Sequence, residues 1–147
     1  MNKDKFENFD PETFQSLLKS KEDTRLDRKL KITSREKIAK TIAAMANTEG
    51  GQLLVGISDH GKLIGIDPEE EMYMIRTANE KYCHPPAKLS FRTIQYLDYD
   101  TNPIEPLEKY FLIVGIAKSP GINCFDKKGN SKYYVRKNDR TVSVVRT

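Results

Sequence analysis

The run Ala43-Ala44-Met45-Ala46-Asn47-Thr48-Glu49-Gly50-Gly51-Gln52-Leu53-Leu54-Val55-Gly56-Ile57-Ser58-Asp59-His60-Gly61 ends on a carboxylate, an imidazole and a glycine. It reads as the end of a buried helix, a glycine turn, a buried strand and a hairpin tip. Asp59 at such a tip can join carboxylates upstream in an acidic site within a basic protein. His60 beside it has the chemistry of a general acid or a metal ligand, and equally that of an exposed turn histidine. The cations offer a second chemistry. Arg25, Lys29, Lys31, Arg136, Lys137 and Arg140 are candidates for phosphate contact, followed by Lys127, Lys128 and Lys132 at a hairpin tip. Such contacts give affinity without sequence choice. Tyr133 and Tyr134 lie beside Arg136 and can stack on bases. Neighbours in a strand face opposite ways, so one of the two belongs to the core. A solvated charged surface is the plainer reading of the same cations.

Charge is unevenly placed along the 147 residues. Lysine and arginine number 25 against 21 aspartates and glutamates, for a formal charge of +4. Lys19 to Lys40 is net +5, and so is Phe125 to Thr147, while acids outnumber bases between Glu49 and Lys109. Two basic segments around an acidic middle can converge into one stripe or remain two solvated faces. Polyanions are favoured partners in the first case. The only cysteines are Cys83 and Cys124, too few and too far apart for a zinc ribbon or a Cys-x-x-Cys redox motif. No apolar run reaches membrane-span length, and the first residues lack the apolar core of a secretion signal. A reduced, cytoplasmic protein with no membrane partner is the expectation.

The elements that must position these residues follow from local pattern. Residues 1–9 are polar and expected to be flexible. Asp10-Pro11-Glu12 starts a short helix with Phe14, Leu17 and Leu18 on its apolar face. Arg25 to Ile32 alternates, with an ionic face of Arg25, Asp27, Lys29 and Lys31 that is expected to lie outside the core. Thr33-Ser34-Arg35-Glu36 is a capping box with Thr33 as N-cap. The helix behind it is Ala-rich and ends at Asn47 and Gly50-Gly51. Gln52 to Ser58 suits a strand buried on both faces. Asp59-His60-Gly61 turns it into a return strand, Lys62 to Ile66. A third helix starts at Asp67-Pro68 and breaks at Cys83-His84-Pro85-Pro86. Strands follow at about 87–99 and 109–117, then a hairpin of 122–126 and 132–137 with a basic tip, then a short strand around Val142 to Val145. The order predicts one α+β domain over residues 10–147, with a mixed or antiparallel sheet and about three helices. The Gly50-Gly51 turn is not a P-loop, because no Gly-x-x-x-x-Gly-Lys-Ser/Thr occurs, so ATP hydrolysis is discounted.

The stretch Ala46 to Gly51, followed by Leu54-Val55-Gly56-Ile57-Ser58-Asp59 and Gly61-Lys62-Leu63-Ile64-Gly65-Ile66, resembles the Schlafen AlbA_2 domain. Pro85-Pro86 and the block Tyr133-Tyr134-Val135-Arg136 through Thr141 agree with it, as does the spacing of Glu22, Asp27 and Lys29. The resemblance runs over residues 10–147. It implies a nucleic-acid-binding domain; older labels call it a divergent AAA-type domain. Animal relatives carry the domain as a pair and bind RNA, and some cleave tRNA and rRNA with three carboxylates. Carried over, those are Glu22, Asp27 and Asp59. Hard oxygen ligands of this kind suit Mg²⁺ or Mn²⁺, which activate water and stabilise charge at phosphorus. Three departures are visible: Asp27 where a Glu is usual, Arg28 where an aromatic residue is usual, and Asn138 in place of a glycine.

The leading expectation is therefore binding of DNA or RNA, in a regulatory role, through a basic face that needs no cofactor. A divalent-metal ribonuclease using Glu22, Asp27 and Asp59 is one alternative. A protein-interaction or assembly module is the other. A homodimer enclosing a groove would be compatible with the first.

Overall fold

The computed structural model describes residues 6–7, 11–100 and 102–145. The expected cap at Asp10 lies outside them, as does most of the N-terminal stretch expected to be flexible. Among the described residues three helices are α1 (Pro11–Lys19), α2 (Arg35–Thr48) and α3 (Pro68–Tyr82). Nine strands among them are β1 (Phe6–Glu7), β2 (Leu26–Lys29), β3 (Gly51–Val55), β4 (Cys83–His84), β5 (Leu89–Asp98), β6 (Leu107–Ile116), β7 (Asn123–Phe125), β8 (Ser131–Lys137) and β9 (Arg140–Val144). The class is α+β, as the order of elements predicts.

The strands form two sheets. The larger has the order β1-β5-β6-β3-β2, and the smaller β4-β7-β8-β9. Inner pairs of the large sheet are antiparallel, while β1 with β5 and β2 with β3 are parallel. The β2–β3 pair is parallel because α2 carries the chain back to the same end, as such a crossover requires. β3 lies between β2 and β6, and its run Leu53-Leu54-Val55 is apolar on both faces, so both must be covered. Leu53 and Val55 face α2 and α3; Leu54 faces the α1 side with Ile94, Phe111 and Ile113. There Phe14 of α1 lies 5.5 Å from the Phe111 ring and 6.0 Å from Tyr96.

α2 is the middle layer. Every residue from Ile38 to Asn47 except Lys40 is buried, because α3 and both sheets pack around the helix. Alanines at 39, 43, 44 and 46 permit that close approach. The helix begins one residue later than its capping box suggests: Ser34, not Thr33, is the N-cap, and its hydroxyl accepts from Lys37 N–H at 3.2 Å. At the other end Gly50 adopts φ +73° and Gly51 φ +145°. A Cβ on Gly51 would stand 2.2 Å from the Arg25 carbonyl oxygen, so β3 can enter beside β2 only with glycine there.

Two expectations need correction. Lys62 to Ile66 forms no strand; its ladder with the outgoing chain is a single isolated bridge between Ile57 and Leu63. Both edges of β3 are already taken by β2 and β6, which leaves the return segment no sheet to join. It folds over instead, with the Gly56 carbonyl accepting from Ile64 and Gly65 N–H and the Tyr110 carbonyl from Ile66 N–H. Second, the ionic face of β2 is not wholly outside the core: Arg25 and Lys31 are exposed and Lys29 is half-buried, but Asp27 is not. Asp27 is 4% exposed, because the small sheet covers that face and presents Arg136 to it.

Candidate functional site

The sequence Asn47-Thr48 at the end of α2 stitches the helix to the small sheet. The Asn47 amide nitrogen donates to the carbonyls of Ile122 and Tyr134 at 2.9 and 2.8 Å, and its oxygen accepts from Ile122 N–H at 2.8 Å. Thr48 Oγ1 accepts from Arg136 N–H at 2.8 Å and donates to the Ala44 carbonyl. These bonds fix β8 against α2, and so determine where the second basic segment of the chain lies.

One residue of that segment points inward. Arg136 is 5% exposed and its Nη2 reaches Asp27 Oδ1 at 2.9 Å. The same guanidinium donates to the Asp23 carbonyl and to Thr141 Oγ1. Arg136 is therefore not a surface phosphate contact. A buried carboxylate opposite it in β2 requires a cation, and an arginine with a planar fork is the residue that can satisfy several acceptors at once. Tyr134 also faces inward. It is half-buried against the main core, with Lys40 Nζ 5.8 Å from its ring centroid. Tyr133 takes the other face, where its hydroxyl accepts from Gly121 N–H at 3.2 Å.

The exposed cations fall into two groups. Lys137 and Arg140 pair across the β8–β9 turn, where Asn138 adopts φ +54° as the absent glycine required. Six strand steps away, roughly 20 Å, lies the β7–β8 tip with Lys127 and Lys128. Asp126 builds that tip: Oδ1 accepts from Lys128 and Asn130 N–H, both at 2.9 Å, and these bonds hold its carboxyl below the usual range. Lys132 is exposed at the start of β8, and Arg25 is exposed ahead of β2.

The Lys127 tip meets the start of α2. A depression of about 190 Å³ is lined by Lys29, Lys31, Thr33, Ser34 and Lys37. A second, of about 500 Å³, shares Thr33 and Ser34 and adds Arg35, Glu36, Lys81 and Lys127. Six cations thus stand around the N-terminal end of α2 against one lining carboxylate, Glu36. The positive end of the helix dipole adds to their field. Two of the six are held in place by neighbours. Arg35 donates from Nε to Thr77 Oγ1 at 2.9 Å and lies over the Tyr73 ring, while Lys81 lies over Tyr82. A third, Lys29, pairs with Asp27 Oδ2 at 3.0 Å. The loop that carries Lys31 is anchored from α3, whose buried Glu71 accepts from Ile32 N–H at 2.7 Å. Burial pushes the Glu71 carboxyl up in pKa, only partly offset by that bond and by Lys31.

Sequence reasoning missed Arg35, Lys37, Lys81, Asn47 and Glu71. Lys81 in the last turn of α3 carries no local signal, because it joins the site only through tertiary packing. Glu71 had one: it interrupts the apolar face of α3, one turn before Ile75 and in line with Ala78 and Tyr82.

The three carboxylates behave separately. Glu22 folds back on β2 and accepts from Arg28 N–H at 2.7 Å. Asp27 is occupied by Arg136 and Lys29. Asp59 is exposed on its turn, with His60 exposed beside it. Among the described residues no three His, Cys, Asp or Glu side chains stand close enough to share a metal ion. As arranged, these residues do not fit a divalent cation, and no metal-assisted step follows from them. Arg28 has a different task from the aromatic residue it replaces. Its guanidinium donates to the Leu17, Leu18 and Ser20 carbonyls and so closes the C-terminal end of α1.

The family model described as Schlafen, AlbA_2 matches residues 22–145. The chain belongs to the Schlafen AlbA_2 family. The match spans everything from the Glu22 loop to the end of β9, so most of both basic segments lies inside the AlbA_2 domain. No curated protein matched the chain. The AlbA_2 motif Asn47-Thr48-Glu49-Gly50-Gly51 is structural here: the first two residues bind the small sheet and the glycines bring β3 against β2. No helix among the described residues is long and apolar enough to cross a membrane.

Proposed function

We propose that this AlbA_2 domain binds nucleic acid by its phosphate backbone at the N-terminal end of α2. One observation carries the reading. Lys29, Lys31, Arg35 and Lys37 from the first basic segment and Lys127 from the second line two depressions that share Thr33 and Ser34. Residues some 90 positions apart in sequence do not gather like charge at one place without cost, since the repulsion lowers stability unless an anion relieves it. Lysine ammonium groups on flexible stems suit repeated phosphates rather than one bidentate ligand. Base identity is not read by such contacts, so the expected binding is broad in sequence. DNA and RNA are both candidates.

The test is fluorescence anisotropy of labelled single-stranded RNA and duplex DNA over a salt series. A linear fall of log affinity with log salt, with a slope that shrinks in Lys31→Ala and Lys127→Ala, supports this surface. Binding that keeps its slope in both variants places the contacts elsewhere. No binding at low salt removes the reading.

A further inference from the structure

Cys83 and Cys124 stand directly opposite one another in the β4–β7 ladder. Opposed residues of an antiparallel pair have Cα atoms about 4.5–5.5 Å apart, inside the span a disulfide bridges without backbone movement. The side chains face the same way: both sulfurs lie under α2, 0% and 3% exposed, in one cluster with Ala39 and Ala43. The Cys83 thiol donates to the Ala39 carbonyl of α2 at 3.5 Å.

We propose that Cys83 and Cys124 form a reversible intramolecular disulfide on exposure to a low-molecular-weight disulfide such as oxidised glutathione. Two features besides the register point the same way. β4 is a two-residue strand at the edge of the small sheet, so the ladder it forms with β7 opens at little cost and admits a reagent. The neighbouring Cys83 and the cation Lys40 lower the Cys124 thiol against its burial, while Cys83, beside Cys124 and buried, is raised. Cys124 is thus the attacking group. Its thiolate attacks one sulfur of oxidised glutathione, forming a mixed disulfide and releasing one glutathione thiolate. Cys83 loses its proton to solvent, and its thiolate attacks the Cys124 sulfur and expels the second glutathione. Two protein thiols are oxidised and one glutathione disulfide is reduced to two thiols. The product joins the end of α3 to the strand that leads into the Lys127 tip.

The experiment is native incubation of the whole chain with oxidised glutathione, followed by intact mass, peptide mapping and thermal melting. The expected product has lost two hydrogens, carries a Cys83–Cys124 peptide link and melts at least ~4 °C higher, reverting with dithiothreitol. In Cys83→Ala the reaction should stop at glutathionylated Cys124. Unreacted thiols in the folded protein, a stable glutathione adduct on the wild-type chain, or a disulfide between two chains would each overturn the proposal. The wild-type mass decides even if the variant fails to fold. None of these readouts depends on what the basic end of α2 binds.

Discussion

Arg136 Nη2 lies 2.9 Å from Asp27 Oδ1, and the two side chains are 3% and 6% exposed. The pair joins β8 of the small sheet to β2 of the large one, across 109 residues of sequence. Removing one member of a buried ion pair leaves the other poorly compensated, here Asp27 with only Lys29, whose side chain is 40% exposed, and that costs more than the pair itself contributes. Arg136→Met is expected to destabilise the fold by about 3–5 kcal/mol in urea unfolding. Asp27→Leu combined with Arg136→Met should recover most of the loss. A single Arg136→Met variant as stable as wild type would mean the pair is not formed in solution.

Asn47→Ala removes three hydrogen bonds and strands the N–H and carbonyl of Ile122 in the core. The expected cost is roughly 2–4 kcal/mol, with faster amide exchange in β7 and β8 than in β5 and β6. Exchange that rises equally in both sheets would show that Asn47 serves the whole core rather than the joint.

Lys31 and Lys127 approach the same pair of depressions from opposite ends of the chain. Each alanine substitution should reduce the salt slope of nucleic-acid binding by about 1, and the double substitution by about 2, with no change in sequence preference. Lys29 is a poorer choice for this test, since its loss also removes a partner of Asp27. A slope change confined to one probe sequence would count against backbone contact.

Glu71 gives a pH dependence with a definite sign. Its folded carboxyl is raised above 4.5, chiefly by burial, with Glu70 and Asp67 adding to the rise and Ile32 N–H and Lys31 opposing it. The folded state therefore holds this proton more tightly than the unfolded chain. Its contribution is fully present below about pH 4.5 and is lost as pH rises through the folded pKa. Glu71→Gln keeps an acceptor for Ile32 N–H and does not titrate. The stability difference, wild type minus Glu71→Gln, should fall as pH rises above about 4.5 in urea midpoints. A difference that grows with pH contradicts the burial effect.

Local pattern determined most of the elements. Capping residues and apolar spacing located α2 and α3, and proline and glycine marked their ends, because those signals act within a few residues. The charge asymmetry of the chain was also visible, as was the need for glycine at Gly50-Gly51 and an αL residue at Asn138. What sequence could not determine is which way each charge faces. Arg136 and Lys137 are neighbours of one type, yet the first is buried on Asp27 and the second is exposed, because β8 alternates and only one face meets β2. The strand expected at Lys62 to Ile66 failed for the same kind of reason. Its local pattern was adequate, but β2 and β6 had already filled the edges of β3. The basic site itself depended on the packing of α3 and the β7–β8 hairpin against the start of α2, a non-local event that leaves no mark at Lys81 and shows Lys127 only as part of a basic hairpin tip, not as a neighbour of α2.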